Sequence, residues 1–187
     1  MASILKTDKI EGVTASGTVQ MPAGHVIQTF TTNRTDTFTV SGATNAEMFS
    51  ILITPKFASS KILITCNING SSAQADSLST GHRYGYAQLF RDSTHITQNT
   101  DRSGNRVNVW FSLQDASDGA NHGYGMANSS GMYLDSPNSL SQIDYSIKVG
   151  QSHLTNSLLT INRTSVNDDQ TYTHYGISSM TVQEIAQ

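Results

Sequence analysis

Residues 46–68 constrain the fold more than any other stretch: two runs rich in β-branched residues flank Pro55-Lys56-Phe57-Ala58-Ser59-Ser60. In the first run Phe49, Ile51 and Ile53 share one face of an extended chain. In the second, Ile62, Ile64, Cys66 and Ile68 do the same, with Lys61, Thr65 and Asn67 opposite. Alternate residues share a face only in a strand, so a period of two marks a strand with one side buried. Leu52 and Leu63 add apolar bulk to the other faces, and at least one of the two strands is expected to be covered on both sides. Pro55 lacks the N–H a ladder needs and suits a strand exit. The unit reads as strand–loop–strand at the heart of a β-sandwich.

The rest of the chain follows this pattern. Strands are expected at His25–Thr31, Thr35–Val40, Arg83–Asp92, Arg106–Leu113, Met132–Leu134, Gln142–Val149, Leu158–Arg163 and Ile177–Ile185. Polar, small-residue stretches at 69–80, 97–105, 114–131 and 164–170 read as loops. No stretch of twelve residues carries a helical period. Short strands separated by polar turns indicate an all-β fold, a β-sandwich of jelly-roll-like form. Residues 1–24 stand apart. Gly12, Gly17, Pro22 and Gly24 punctuate them, and Ile4, Leu5 and Ile10 are too few to make a core. A segment that cannot fold alone yet carries apolar residues is expected to dock, so 1–24 reads as an arm and 25–187 as the sandwich domain.

Only 36% of the residues are hydrophobic and 13% charged, and Ser, Thr and Asn make up about a third. Disordered chains of that polarity lack aromatic residues and carry high net charge. Here there are six Phe, seven Tyr and one Trp at a net charge of −3, which fits short strands with uncharged polar outer faces. That charge, with Lys and Arg scattered singly, disfavours nucleic acid as a partner. The single cysteine, Cys66, forms no internal disulfide and reads as a small buried hydrophobe. The first residues lack the apolar core of a signal peptide, and no apolar run reaches the ~20 residues that span a bilayer. Synthesis in a cytoplasm without membrane insertion is expected.

Chemistry-bearing patterns are scarce. His25, His82, His95, His122, His153 and His174 have no metal-ligand spacing, and no metal or cofactor is expected. Asn167-Asp168-Asp169 lacks the alternating ligands and closing Glu of a calcium loop. A glycan hydrolase needs two facing carboxylates. Asp115, Asp118, Asp135, Asp144 and Asp168 are available, while Glu47 and Glu184 are the only glutamates after residue 24. With no nucleophile elbow or phosphate-binding loop, the chain is read as not an enzyme. Tyr84 and Tyr86 are expected to pack with their hydroxyls satisfied. Tyr124, His122, Tyr172, His174 and Tyr175 sit in loops and are the candidates for stacking a sugar or docking on another surface. Four sequons, at Asn33, Asn69, Asn128 and Asn162, carry little meaning without a secretion signal.

Several blocks carry a family likeness. Ser3-Ile4-Leu5-Lys6-Thr7-Asp8-Lys9-Ile10 and Met21-Pro22-Ala23-Gly24-His25-Val26-Ile27-Gln28 open the chain. Ile53-Thr54-Pro55-Lys56-Phe57-Ala58-Ser59-Ser60-Lys61-Ile62-Leu63-Ile64 lies at its centre. Ile161-Asn162-Arg163-Thr164 and Met180-Thr181-Val182-Gln183-Glu184-Ile185-Ala186-Gln187 close it. Together they resemble the tail-fibre-like virion structural proteins of marine and cyanobacterial phages, over nearly the whole chain. The resemblance implies a homotrimeric β-sandwich knob, similar to the tumour-necrosis-factor-like jelly roll, on the outside of a particle assembled in the host cytoplasm. It implies a short fibre or knob that contacts a host glycan or protein, with residues 1–24 docking on other virion proteins of tail, baseplate or capsid through Ile4, Leu5 and Ile10. The alternative it leaves open is a capsid decoration protein that stabilises the shell, and less favoured, a glycan-degrading tail enzyme.

Overall fold

The two-residue alternation carries directly into the backbone. The structure is a computed structural model that describes residues 21–41, 45–74, 85–113, 124–151 and 157–187. Among these there is no helix, and the strands are β1 (Val26–Arg34), β2 (Phe38–Ser41), β3 (Asn45–Ile53), β4 (Lys61–Gln74), β5 (Gly85–Arg91), β6 (Thr94–His95), β7 (Phe111–Leu113), β8 (Ala127–Asp135), β9 (Ile143–Gln151), β10 (Ser157–Ile161) and β11 (Ser178–Ile185).

Three pairs of these are one strand interrupted. β10 and β11 lie end to end on the edge of β4 opposite β8, since Gly70 pairs with Ile161 on one side and Ala127 on the other. β1 and β2 lie end to end against β11 and β10, and β7 and β6 against β5. One sheet is therefore β1/β2, β10/β11, β4, β8, and the other β3, β9, β5, β6/β7, all antiparallel. Numbered as eight composite strands in chain order, the sheets run 1-8-3-6 and 2-7-4-5. The chain crosses between sheets at every connection except the fourth to the fifth. That is a jelly roll.

The core lies where the alternation places it. Phe49, Ile51 and Ile53 of β3 and their neighbours Tyr145, Ile147 and Val149 of β9 are buried in one sheet, as are Ile62, Ile64, Cys66 and Ile68 of β4 in the other. Covering on both sides fails for β3, because Leu52 is 54% exposed, while Leu63 on the outer face of β4 is half-buried. Burial pushes the Cys66 thiol well above its ordinary range, as expected of a packed hydrophobe rather than a nucleophile. Tyr86 is buried on the outer face of its sheet, its hydroxyl donating to Asn45 Oδ1 at 2.7 Å. Tyr84 lies outside the described residues.

Several strand boundaries differ from expectation: β1 runs on to Arg34 rather than Thr31, β2 begins at Phe38 rather than Thr35, β6 is not among the expected strands, and three further strands differ as well. Residues 69–74 extend β4 instead of forming a loop, because β10 pairs with 70–74 and fully buries Ser71 and Ser72. β8 begins at Ala127 rather than Met132, its first half being a polar alternation of Asn128 and Ser130. Of Arg106–Leu113 only Phe111–Leu113 joins a ladder. There the Trp110 and Phe111 rings occupy the space over Gly131, where a Cβ would lie 2.6 and 2.8 Å from them.

One buried carboxylate ties the ends of this frame together. Glu184 on β11 is inaccessible to solvent. Its Oε1 accepts from the backbone N–H of Lys56 (2.8 Å) and Phe57 (3.2 Å), and its Oε2 from Gln28 Nε2 at 2.6 Å. The loop after β3 is thereby fastened to the last strand.

Candidate functional site

The interruption between β10 and β11 is the most elaborate feature of the surface, and it begins at Asn162. This residue is fully buried and adopts a left-handed φ of 59°, which Asn tolerates better than most side chains. Its Nδ2 donates to Arg34 O (2.8 Å) and Asp36 O (3.0 Å), filling the break between β1 and β2. Its Oδ1 accepts from Ser178 Oγ at 2.6 Å, and Ser178 Oγ accepts from Asn69 N at 3.0 Å. The same residue thus turns the chain out of the sheet and seals the gap opposite.

From there residues 163–177 leave the sheet and return, closed at the neck by Gly176 N donating to Asn162 O (2.9 Å) and Thr164 N to His174 O (3.1 Å). The tip is braced internally. The single Thr173 hydroxyl proton is shared between the carbonyls of Asp168 (2.7 Å) and Gln170 (2.9 Å), and Gln170 N donates to Asp168 O (2.9 Å). The Tyr175 hydroxyl donates to Asn167 Oδ1 at 3.0 Å. That bond fixes the ring while leaving the residue 71% exposed. Tyr172, 52% exposed, meets Tyr124 edge to face with ring centroids 5.3 Å apart. Such pairs add about 0.5–1.5 kcal/mol beyond burial, enough to hold one ring against the other.

The structure therefore brings Tyr124 and Tyr172 into contact from segments about fifty residues apart in sequence, with Tyr175 in the same excursion. His174 is exposed there and contributes its backbone carbonyl to the neck. His122 lies outside the described residues, as do Ile4, Leu5 and Ile10 of the arm. Sequence reasoning missed the floor of the ledge. Gly176 lies against Met126 and Asn69, too close for a Cβ, which would sit 2.9 Å from each. Asn69 Nδ2 donates to Ile177 O (2.7 Å) and Asn128 Nδ2 to Asn69 Oδ1 (3.0 Å). The available signal was parity: Tyr124, Met126 and Asn128 alternate into β8. Their partners across the sheet could not be read from it.

Of the carboxylates considered for hydrolysis, Asp135 and Asp144 are hydrogen-bonded within the fold, and Asp168 is exposed at the tip of the excursion. Asp135 is buried and takes Arg91 Nη1 on both oxygens (3.0 and 2.9 Å) and the Tyr145 hydroxyl at 2.6 Å. Burial and that carboxylate push the Tyr145 phenol up, so it stays protonated as a donor. Asp144 accepts from Ser50 Oγ at 2.8 Å. Asp115 and Asp118 lie outside the described residues. Among the described residues no three His, Cys, Asp or Glu side chains come together as a metal site.

The class these features define is a jelly roll with a braced aromatic ledge standing out from one sheet. No protein-family model and no curated protein matches the chain. Among solved structures it is similar to a chain in "Structure of infectious bursal disease virus Gx strain", with a TM-score of 0.34 and 11% identity. That similarity covers 100% of this chain but 42% of the other, so this chain spans less than half of it.

Proposed function

We propose that this chain is a non-enzymatic surface protein of a phage virion, a homotrimeric short fibre or knob that attaches to a saccharide or protein on the host cell. The observation that carries the reading is the ledge itself. Tyr172 and Tyr175 expose aromatic faces to solvent, yet their positions are set by a ring contact and a hydroxyl bond rather than by burial. Exposed aromatics held in place lose little entropy on binding, which favours recognition. The family resemblance supplies the particle. Three ledges per trimer, and many trimers per particle, would raise avidity without a strong single site.

Binding of the fluorescently labelled protein to host cells tests this. Tyr172→Ala and Tyr175→Ala are each expected to weaken attachment about tenfold, corresponding to ~1.4 kcal/mol, with an unchanged circular dichroism spectrum. Undiminished attachment by both variants would overturn the ledge as the contact. Immunogold label over the head rather than the tail would favour shell decoration instead.

A further inference from the structure

We infer that the open edge of β8 receives residues 3–10 of a second copy of this chain as an added antiparallel strand. The inference rests on reading residues 1–24 as a docking arm and names where that arm goes.

A sheet edge presents unpaired N–H and C=O groups, and folded proteins blunt such edges with bulges, charges, proline or brevity. Three of the four edges here are blunted. β1 has a bulge between Val26 and Gln28, and beyond it the Arg34–Asp36 ion pair at the break before β2. β3 has a bulge between Glu47 and Phe49, with Glu47 exposed. β6 and β7 are two and three residues long. β8 has none of these devices. Its nine residues pair with β4 in unbroken register from Gly70↔Ala127 to Ile62↔Asp135. It contains no proline, and its only charge, Asp135, is consumed by Arg91 and Tyr145. Among the described residues its other edge has no backbone partner. Along it Met132 is 71% and Leu134 51% exposed.

The place where the arm joins the domain decides whose arm fits. Gly24 N donates to Ala186 O (2.9 Å) and Ala186 N to His25 O (2.8 Å), so the arm departs beside the start of β1, at the opposite edge of the sheet. β8 lies three strand spacings away, about 14 Å, and runs toward that same end. A chain's own arm reaching β8 there would pair parallel, the less stable arrangement. To pair antiparallel it would have to climb a strand about 30 Å long as well, which takes residues 11–20 to their full extension of roughly 33–36 Å. An arm arriving from a neighbour meets neither constraint. In an extended strand Ile4 and Ile10 share one face and Leu5 takes the other, so either face of the added strand brings an apolar side chain to the side of Met132 and Leu134.

The test uses full-length chains, in which the only native cysteine, Cys66, is buried. Met132→Cys protein is mixed with size-tagged protein carrying Ile4→Cys, Leu5→Cys or Ile10→Cys, and a short bismaleimide is added. Covalent heterodimers are expected, and Thr31→Cys on the β1 edge is expected to give none. A second variant, Met132→Lys with its cysteine partner moved to Ser130→Cys, places a charge on the edge and is expected to lose the cross-link while keeping its circular dichroism spectrum. No heterodimer from any arm cysteine would overturn the inference, as would equal capture by Thr31→Cys. The Tyr172→Ala chain is expected to cross-link normally, so host attachment and arm exchange fail separately.

Discussion

One buried carboxylate joins two of the most recognisable blocks of the sequence, which lie far apart along the chain. Glu184, near the C-terminus, holds the backbone of Lys56 and Phe57 in the central block. Hydrogen bonds to a charged acceptor contribute about 1.5–3 kcal/mol each, less than additively. Glu184→Ala is therefore expected to lower stability by roughly 3–4 kcal/mol in urea denaturation. Glu184→Gln, which sets an NH₂ group against donors, should cost about 1–3 kcal/mol. A Glu184→Ala midpoint equal to wild type would refute the staple. His95 makes the pH dependence testable. Burial lowers its pKa below the usual 6.5, while its Nε2 lies 2.9 Å from Thr97 Oγ1 and its ring stacks on Phe90. On acidification the unfolded chain binds the proton first, so this contribution to stability is full above pH ~6.5 and is lost as the pH falls through the depressed folded value. His95→Asn is expected to flatten the fall in melting temperature between about pH 7 and pH 5; an unchanged slope would count against the role.

At the scale of elements, the excursion 163–177 is an insertion into a strand that would otherwise run from β10 into β11. Its neck is closed at Asn162 and Gly176 before the tip begins. Replacing residues 166–172 by two glycines is expected to leave the fold intact, moving the melting midpoint by no more than about 5 °C, while removing the tyrosine pair and host attachment. Global unfolding of that variant would mean that the tip supports the sheet. The ledge was only half legible in sequence. Tyr172, His174 and Tyr175 stand out in a polar loop, and Tyr124 in another. Their union depends on β8 and the β10/β11 strand flanking β4 on opposite edges, a pairing that local residue order does not encode.

Over the whole molecule, the outer positions of β4, β8 and β11 carry no charged side chain apart from Lys61, although 25 residues of the chain are charged. An uncharged sheet face with exposed Met132 and Leu134 suits burial in an oligomer. Light scattering of the full-length protein is expected to return a trimer mass; a monomer would exclude that assembly. The sandwich interior is equally testable. Ile64 is fully buried, and Ile64→Asp places an unpaired charge among hydrocarbons at a cost of several kcal/mol, against a typical total stability of about 5–15 kcal/mol. It is expected to unfold the domain; wild-type melting would refute the assignment of that face.

The residues alone determined that this chain is all-β and which side of β3 and β4 faces inward. Alternation is a local property, and burial of one face follows from it wherever a second sheet exists. Tertiary structure decided the rest. It converted Gly70-Ser71-Ser72 from apparent loop into buried strand, because the partner β10 lies about ninety residues away. It reduced Arg106–Leu113 to a three-residue strand, whose Phe111 ring lies with that of Trp110 over Gly131. It turned Glu184 and Asn162 from unremarkable polar residues into buried hubs. A buried polar group is stable only with its partners in place, and those partners are supplied by strands distant in sequence.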